Sequence, residues 1–180
     1  MNVSPINWSL ISRSVEFYKS KRYEHIEVPW LVSKETAMIT CPFEVSISEC
    51  GNMALVGSAE QGFLEIAKSL KPGKYVSTSP CFRNDLEDYF HQRYFVKTEL
   101  FVTDPNVTLD EVINDAMSFF LSLNDDNLSI INIDTNSLDI MLNGVEIGSY
   151  GIREHGDIKW IYGTGIAEPR YSRAKALWTI

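Results

Sequence analysis

The chain is short of positive charge, of cysteine and of long apolar runs, and each shortage removes a class of function. Lys and Arg number 16 against 24 Asp and Glu, giving a formal net charge of −8 over 180 residues. A free-standing nucleic-acid binder presents a basic face. The densest basic cluster here is Lys19, Lys21 and Arg22. A broad tRNA-binding surface is therefore not expected, although a local positive site is compatible with this charge. The three cysteines, Cys41, Cys50 and Cys81, form no CxxC pair, and their odd number builds no disulfide framework. Their spacing does not suit structural zinc. With no signal-peptide pattern at the start, they read as reduced thiols, and the expected location is the cytoplasm. No apolar run approaches the roughly 20 residues of a membrane span, so no membrane partner is expected. There is no internal repeat and no low-complexity tract.

What is present is a composition 44% hydrophobic, enough for a core and too much for disorder. The length suits one domain over residues 1–180. Trp8, Ile11, Val15 and Tyr18 recur at helical spacing, so Asn7 to Ser20 reads as an amphipathic helix capped by Asn7 or Ser9. Tyr23 to Leu31 reads as a strand ending at Pro29, and Ser33 to Asn52 as an irregular loop over a pocket. Met53 to Val56 is a short strand. Ser58-Ala59-Glu60 then opens a helix that stops near Pro72-Gly73. A capping box, Thr108 with Glu111, starts another helix with Leu109, Val112, Ala116, Phe119 and Phe120 on its core face. Strands are expected over Ser129–Ile133, in two segments across Leu138–Gly151 turning at Asn143-Gly144, and over Ile158–Tyr162.

The most informative stretch is Pro80 to Val102. Cys81, Arg83 and Asp85 share one face on the outgoing strand and Phe95, Lys97 and Glu99 share one face on the returning strand, so that one face of the hairpin would carry a guanidinium, a carboxylate, a ring and a second carboxylate. The acidic, aromatic segment between them reads as the loop of a long antiparallel hairpin, with His91 and Arg93 near it. Guanidiniums hold phosphates, a ring stacks on a base, and a carboxylate accepts from an exocyclic amine. The same alternation also suits an ordinary solvated hairpin. Asp139 and Glu146, on adjoining strands, suit one hard cation or, equally, an exposed hairpin with an acid on each arm. Gly163, Gly165 and Ala167 lead to Arg170 at the start of a terminal helix, where close backbone approach is allowed. That corner also reads as a buried strand–turn–helix.

Taken together, these residues resemble class II aminoacyl-tRNA synthetases. Arg83, Asp85, His91 and Phe95 are similar to the family's motif 2, with Asp where Glu is usual. The N-terminal helix, strand and Pro29 resemble motif 1. G-x-G-x-A-x-x-R resembles motif 3, with Pro169 where an acid is usual. Asp139, Gly144, Glu146, Gly148, Gly151 and Arg153 resemble the aspartyl, asparaginyl and lysyl subgroup. The resemblance implies an α+β fold: an antiparallel sheet of about six strands flanked by helices; no anticodon-binding domain is expected within residues 1–180. It implies a ligase that uses ATP and Mg²⁺ to form an aminoacyl adenylate and passes the amino acid to tRNA or another acceptor. It also implies a homodimer through the Asn7–Leu31 region. By the same resemblance, Arg83 bridges the α-phosphate and the substrate carboxylate, and His91 and Arg170 hold the outer phosphates. Phe95 and Arg170 enclose the adenine, with Asp85 at its amine. Asp139 and Glu146 hold Mg²⁺. Ser58 and Glu60 meet the substrate ammonium, and Arg153 meets the side chain of aspartate or asparagine. The alternative reading is a non-catalytic relative that binds an amino acid, a nucleotide or a protein partner.

Overall fold

The computed structural model describes residues 5–41, 47–84 and 87–177. In chain order the elements are α1 (Trp8–Ser20), β1 (Glu24–His25), β2 (Leu31–Ser33), α2 (Lys34–Thr40), β3 (Ser48–Cys50), β4 (Met53–Leu55), α3 (Ala59–Ile66), β5 (Lys74–Phe82), β6 (Tyr94–Val102), α4 (Leu109–Leu121), β7 (Leu128–Asn132), β8 (Ser137–Leu142), β9 (Val145–His155), β10 (Ile158–Glu168) and α5 (Arg170–Ala176). Seven strands form one sheet in the order β1-β5-β6-β10-β9-β8-β7. Its pairings are antiparallel except β1 against β5. The mixed fold, an antiparallel sheet flanked by helices, is the one the sequence implies.

Local signals explain the best-defined elements. The Asn7 carboxamide oxygen accepts from the Leu10 N–H and starts α1, while Ile11, Ser14 and Tyr18 turn inward. Thr108 and Glu111 form the reciprocal capping box of α4. Those two helices pack Tyr18, Val112, Ala116, Phe119 and Phe120 onto one sheet face, against Val76, Leu100, Tyr150 and Ile166. On the opposite face, α3 covers one end with Phe63, which stacks on Phe101 at 4.8 Å between ring centroids.

Three expectations are corrected. Tyr23–Leu31 is not one strand. Only Glu24 and His25 pair with β5, and Leu31 already belongs to a second, three-stranded sheet in the order β2-β4-β3. Pro29 has no N–H to give a ladder, and the chain crosses from one sheet to the other there. Next, Ser33–Asn52 is not simply irregular. It contains α2, started by Ser33, whose hydroxyl accepts from the Thr36 N–H, and it contains β3. Finally, β10 does not stop at Tyr162 but runs to Glu168. The glycines are close-contact points within the strand. A Cβ on Gly163 would meet the Tyr150 ring at 2.7 Å, and one on Gly165 would meet the Tyr18 ring at 2.9 Å. The register shifts between Thr164 and Ile166, which returns Ile166 to the helical face.

Candidate active site

The part of the sheet that α3 leaves open is walled by α2 and the small sheet and holds a cavity of about 350 Å³. That size suits a small-molecule site. Of the ten residues singled out in the sequence, eight line it: Ser58, Glu60, Arg83, His91, Phe95, Glu146, Arg153 and Arg170. Asp85 lies outside the described residues. Asp139 does not line the cavity. It stands one strand back on β8, paired in register with Ser149 of β9.

The strand alternation places the motif 2 side chains as the sequence leads one to expect. Phe95, Lys97 and Glu99 all reach the cavity from β6. Arg83 follows β5. Its Nε donates to the Gly57 carbonyl at 2.9 Å, and its guanidinium carbon lies 5.1 Å from the Phe95 ring centre. A guanidinium fixed at one edge and backed by a ring is pre-oriented. His91 shares a 2.7 Å hydrogen bond between Nδ1 and Asp88, and that bond holds the Asp88 carboxyl down at about 2.

Deeper in, two carboxylates organise the floor. Glu99, 1% exposed, accepts from the Ser58 hydroxyl at 2.5 Å and from the Lys97 ammonium at 2.9 Å. Glu60, 3% exposed, accepts from Arg153 at 2.5 Å and from the Trp160 indole N–H at 2.7 Å. Burial pushes the Glu60 carboxyl above its ordinary value, and Arg153 opposes that shift. The Arg153 guanidinium also lies 4.0 Å from the Tyr162 ring centre. At the far end Arg170 donates to Glu146 at 3.1 Å. The lining carries four cations, Arg83, Lys97, Arg153 and Arg170, against three carboxylates, Glu60, Glu99 and Glu146. The site therefore leans positive inside a chain of net charge −8. Such local reversal favours an anionic ligand.

Lys97 and Glu99 lie on the expected face, yet the sequence assigns them no role; two-residue spacing from Phe95 is the signal that includes them. Trp160 and Tyr162 carry no such signal, because their contacts with Glu60 and Arg153 depend on the β9–β10 register.

Among the described residues there is no group of three or more His, Cys, Asp or Glu side chains that could hold a metal. The fit of Asp139 and Glu146 to a magnesium ion therefore rests on two carboxylates. Burial raises the Asp139 carboxyl, the Ser149 hydroxyl opposes, and the nearby Glu146 charge raises it further. A hard dication relieves that repulsion, and Mg²⁺ on a nucleotide takes most of its remaining oxygen ligands from phosphate and water. The donor set fits on those terms.

A profile of the family described as "tRNA synthetases class II core domain (F)" matches residues 59–175, more than half of the chain. The chain belongs to the class II aminoacyl-tRNA synthetase core family. Among its relatives is a serine–tRNA ligase from Cenarchaeum symbiosum (strain A), 32% identical over 114 residues, an alignment covering 54% of this chain and 27% of that protein. The chain thus spans about a quarter of that relative's length. Similar solved structures include a cytoplasmic serine–tRNA ligase from Naegleria fowleri in complex with AMP. It is 19% identical, with a TM-score of 0.73 over 93% of this chain and 52% of that one. A pyrrolysyl-tRNA synthetase structure from Desulfitobacterium hafniense is 13% identical, with a TM-score of 0.76 over 94% and 68%. A seryl-tRNA synthetase from Pyrococcus horikoshii complexed with ATP is 19% identical, with a TM-score of 0.73 over 95% and 49%. At these identities the structures establish the class II synthetase fold. The narrower resemblance to the aspartyl, asparaginyl and lysyl subgroup is not supported, since two of these structures and the curated relative are seryl enzymes. In the structure Arg153 pairs with Glu60 at the cavity wall, its side chain 39% exposed.

Proposed function

We propose that this class II core activates a small neutral amino acid with ATP, forming an aminoacyl adenylate and pyrophosphate. The observation that carries this reading is the convergence of Arg83, Phe95, Glu146 and Arg170, from separate stretches of sequence, on one cavity that leans positive. In this reading Arg83 neutralises the α-phosphate and the incoming carboxylate together. His91 and Arg170 take the outer phosphates, and Phe95 backs the adenine. Asp139 and Glu146 would hold Mg²⁺, which supplies charge neutralisation on the phosphates when bound. The substrate carboxylate oxygen attacks the α-phosphorus, the bond to the bridging oxygen of pyrophosphate breaks, and no proton moves. The chain's contribution is positioning and charge stabilisation.

Ser58, Glu60 and Glu99 offer the acidic, hydrogen-bonding end that an ammonium group requires. Because Glu60 already neutralises Arg153, an anionic side chain gains little there. A neutral hydroxyl amino acid such as serine fits this floor better than aspartate, in line with the seryl relatives. tRNA is the proposed acceptor by family. The Asn7–Leu31 region, where Trp8 is 63% and Trp30 50% exposed, is the proposed homodimer face. Pyrophosphate exchange screened over the twenty amino acids tests the reading. Exchange stimulated by serine, or by one other small neutral amino acid, supports it. ATP binding without exchange for any of them would instead mark a binding-only relative.

A further inference from the structure

We propose that Arg173 is a positioning residue that fastens the loop of residues 87–92 over the nucleotide end of the cavity. The proposal rests on reading that cavity as the ATP site. Arg173 lies on α5, three residues beyond Arg170, and does not line the cavity. Its Nη1 donates to the Tyr89 carbonyl, and its guanidinium carbon sits 5.2 Å from the Tyr89 ring centre. One planar group therefore holds the loop by its backbone and by a ring at once. Tyr89 is 58% exposed, so core packing does not fix it.

The loop is built to be held as a unit. The Asp88 carboxylate accepts from the N–H groups of Phe90 at 2.6 Å and His91 at 2.7 Å and pairs with the His91 ring, while the Asp88 N–H donates to the His91 carbonyl. Phe90 packs edge-on against Tyr89 at 4.9 Å. Phe90, His91, Phe95 and Arg170 surround a second, smaller hollow at the seam between loop and helix, and His91 also faces the main cavity. Moving Tyr89 thus moves His91. Arg173 ties the loop to the helix that begins with Arg170, so the groups facing the outer phosphates from two segments are kept in one arrangement.

Two readouts on the full chain test this. Chymotrypsin cleaves after Tyr89 and Phe90, and it reports fastening without reference to catalysis. Arg173→Ala is expected to speed that cleavage about tenfold at unchanged global stability, with Tyr89→Ala and Arg173→Lys speeding cleavage after Phe90 less. In pyrophosphate exchange, Arg173→Ala is expected to raise KM for ATP about fivefold to tenfold while kcat stays within about twofold, a split that general damage does not give. Unchanged cleavage overturns the fastening. Faster cleavage with an unaltered KM for ATP overturns the positioning role. Should Arg173→Ala not fold, Arg173→Lys and Tyr89→Ala are judged by the same two criteria. If the unmodified chain shows no exchange, the activation reading fails on its own. Calorimetric ATP affinity then replaces KM, and an affinity unchanged in Arg173→Ala overturns the proposal.

Discussion

At the scale of single residues, the pairing of Glu60 makes the sharpest claim about energetics. Arg153→Ala leaves a buried carboxylate whose one remaining side-chain donor among the described residues is the Trp160 indole. The ion pair is partly open to solvent on the arginine side, so the expected loss is roughly 1–3 kcal/mol, below that of a fully buried pair. Urea unfolding checks it, and adding Glu60→Gln to Arg153→Ala is expected to restore most of the loss. Glu168 gives a pH prediction. It is buried, its Oε2 has no hydrogen-bond partner among the described residues, and burial pushes it from 4.5 to about 7. Between those values the folded state holds a proton that the unfolded chain has released. Stability therefore falls as pH rises through that window. Glu168→Gln is expected to flatten the dependence and to raise Tm at pH 8 by about a few degrees, as a change of about 1 kcal/mol does in a domain of this size. A thermal melt series from pH 5 to pH 8 measures both. The resemblance to the family's motifs singled out Arg83, Phe95, Glu146 and Arg170, and the fold brings them to one cavity. The resemblance did not expose the commitment of Arg153 to Glu60. That contact joins residues 93 positions apart and exists only after the sheet closes.

Among the elements, those with long periodic patterns or explicit caps were legible. α1, α4 and the two hairpins of β5–β6 and β8–β9 fall close to where periodicity and Asn143-Gly144 put them, with Asn143 and Gly144 both at positive φ. Of the small sheet only β4 was legible, at Met53–Val56; β2 and β3 were not, because strands of three residues are too short to show alternation. β10 was cut short because its glycines imitate a turn, whereas they leave room for Tyr150 and Tyr18. Two substitutions test these assignments. Thr108→Ala removes the α4 cap and is expected to cost about 1 kcal/mol by urea unfolding. Gly62→Ala puts a Cβ 2.6 Å from the Pro29 carbonyl oxygen, where α3 presses on the crossing between sheets. It is expected to lower stability by roughly 1–3 kcal/mol.

For the whole molecule, the decisive contrast is an acidic chain that gathers four cations into one hollow. The composition argues against a broad nucleic-acid surface, and a local anion site is what the fold adds. The single-turnover reaction of the chain with stoichiometric ATP, Mg²⁺ and serine tests this account most directly. The account predicts seryl adenylate and pyrophosphate in equal amounts, with the yield falling about a hundredfold or more in Arg83→Ala as α-phosphate stabilisation is lost. ATP recovered intact with serine and with every other small neutral amino acid, or a yield indifferent to Arg83→Ala, would contradict it.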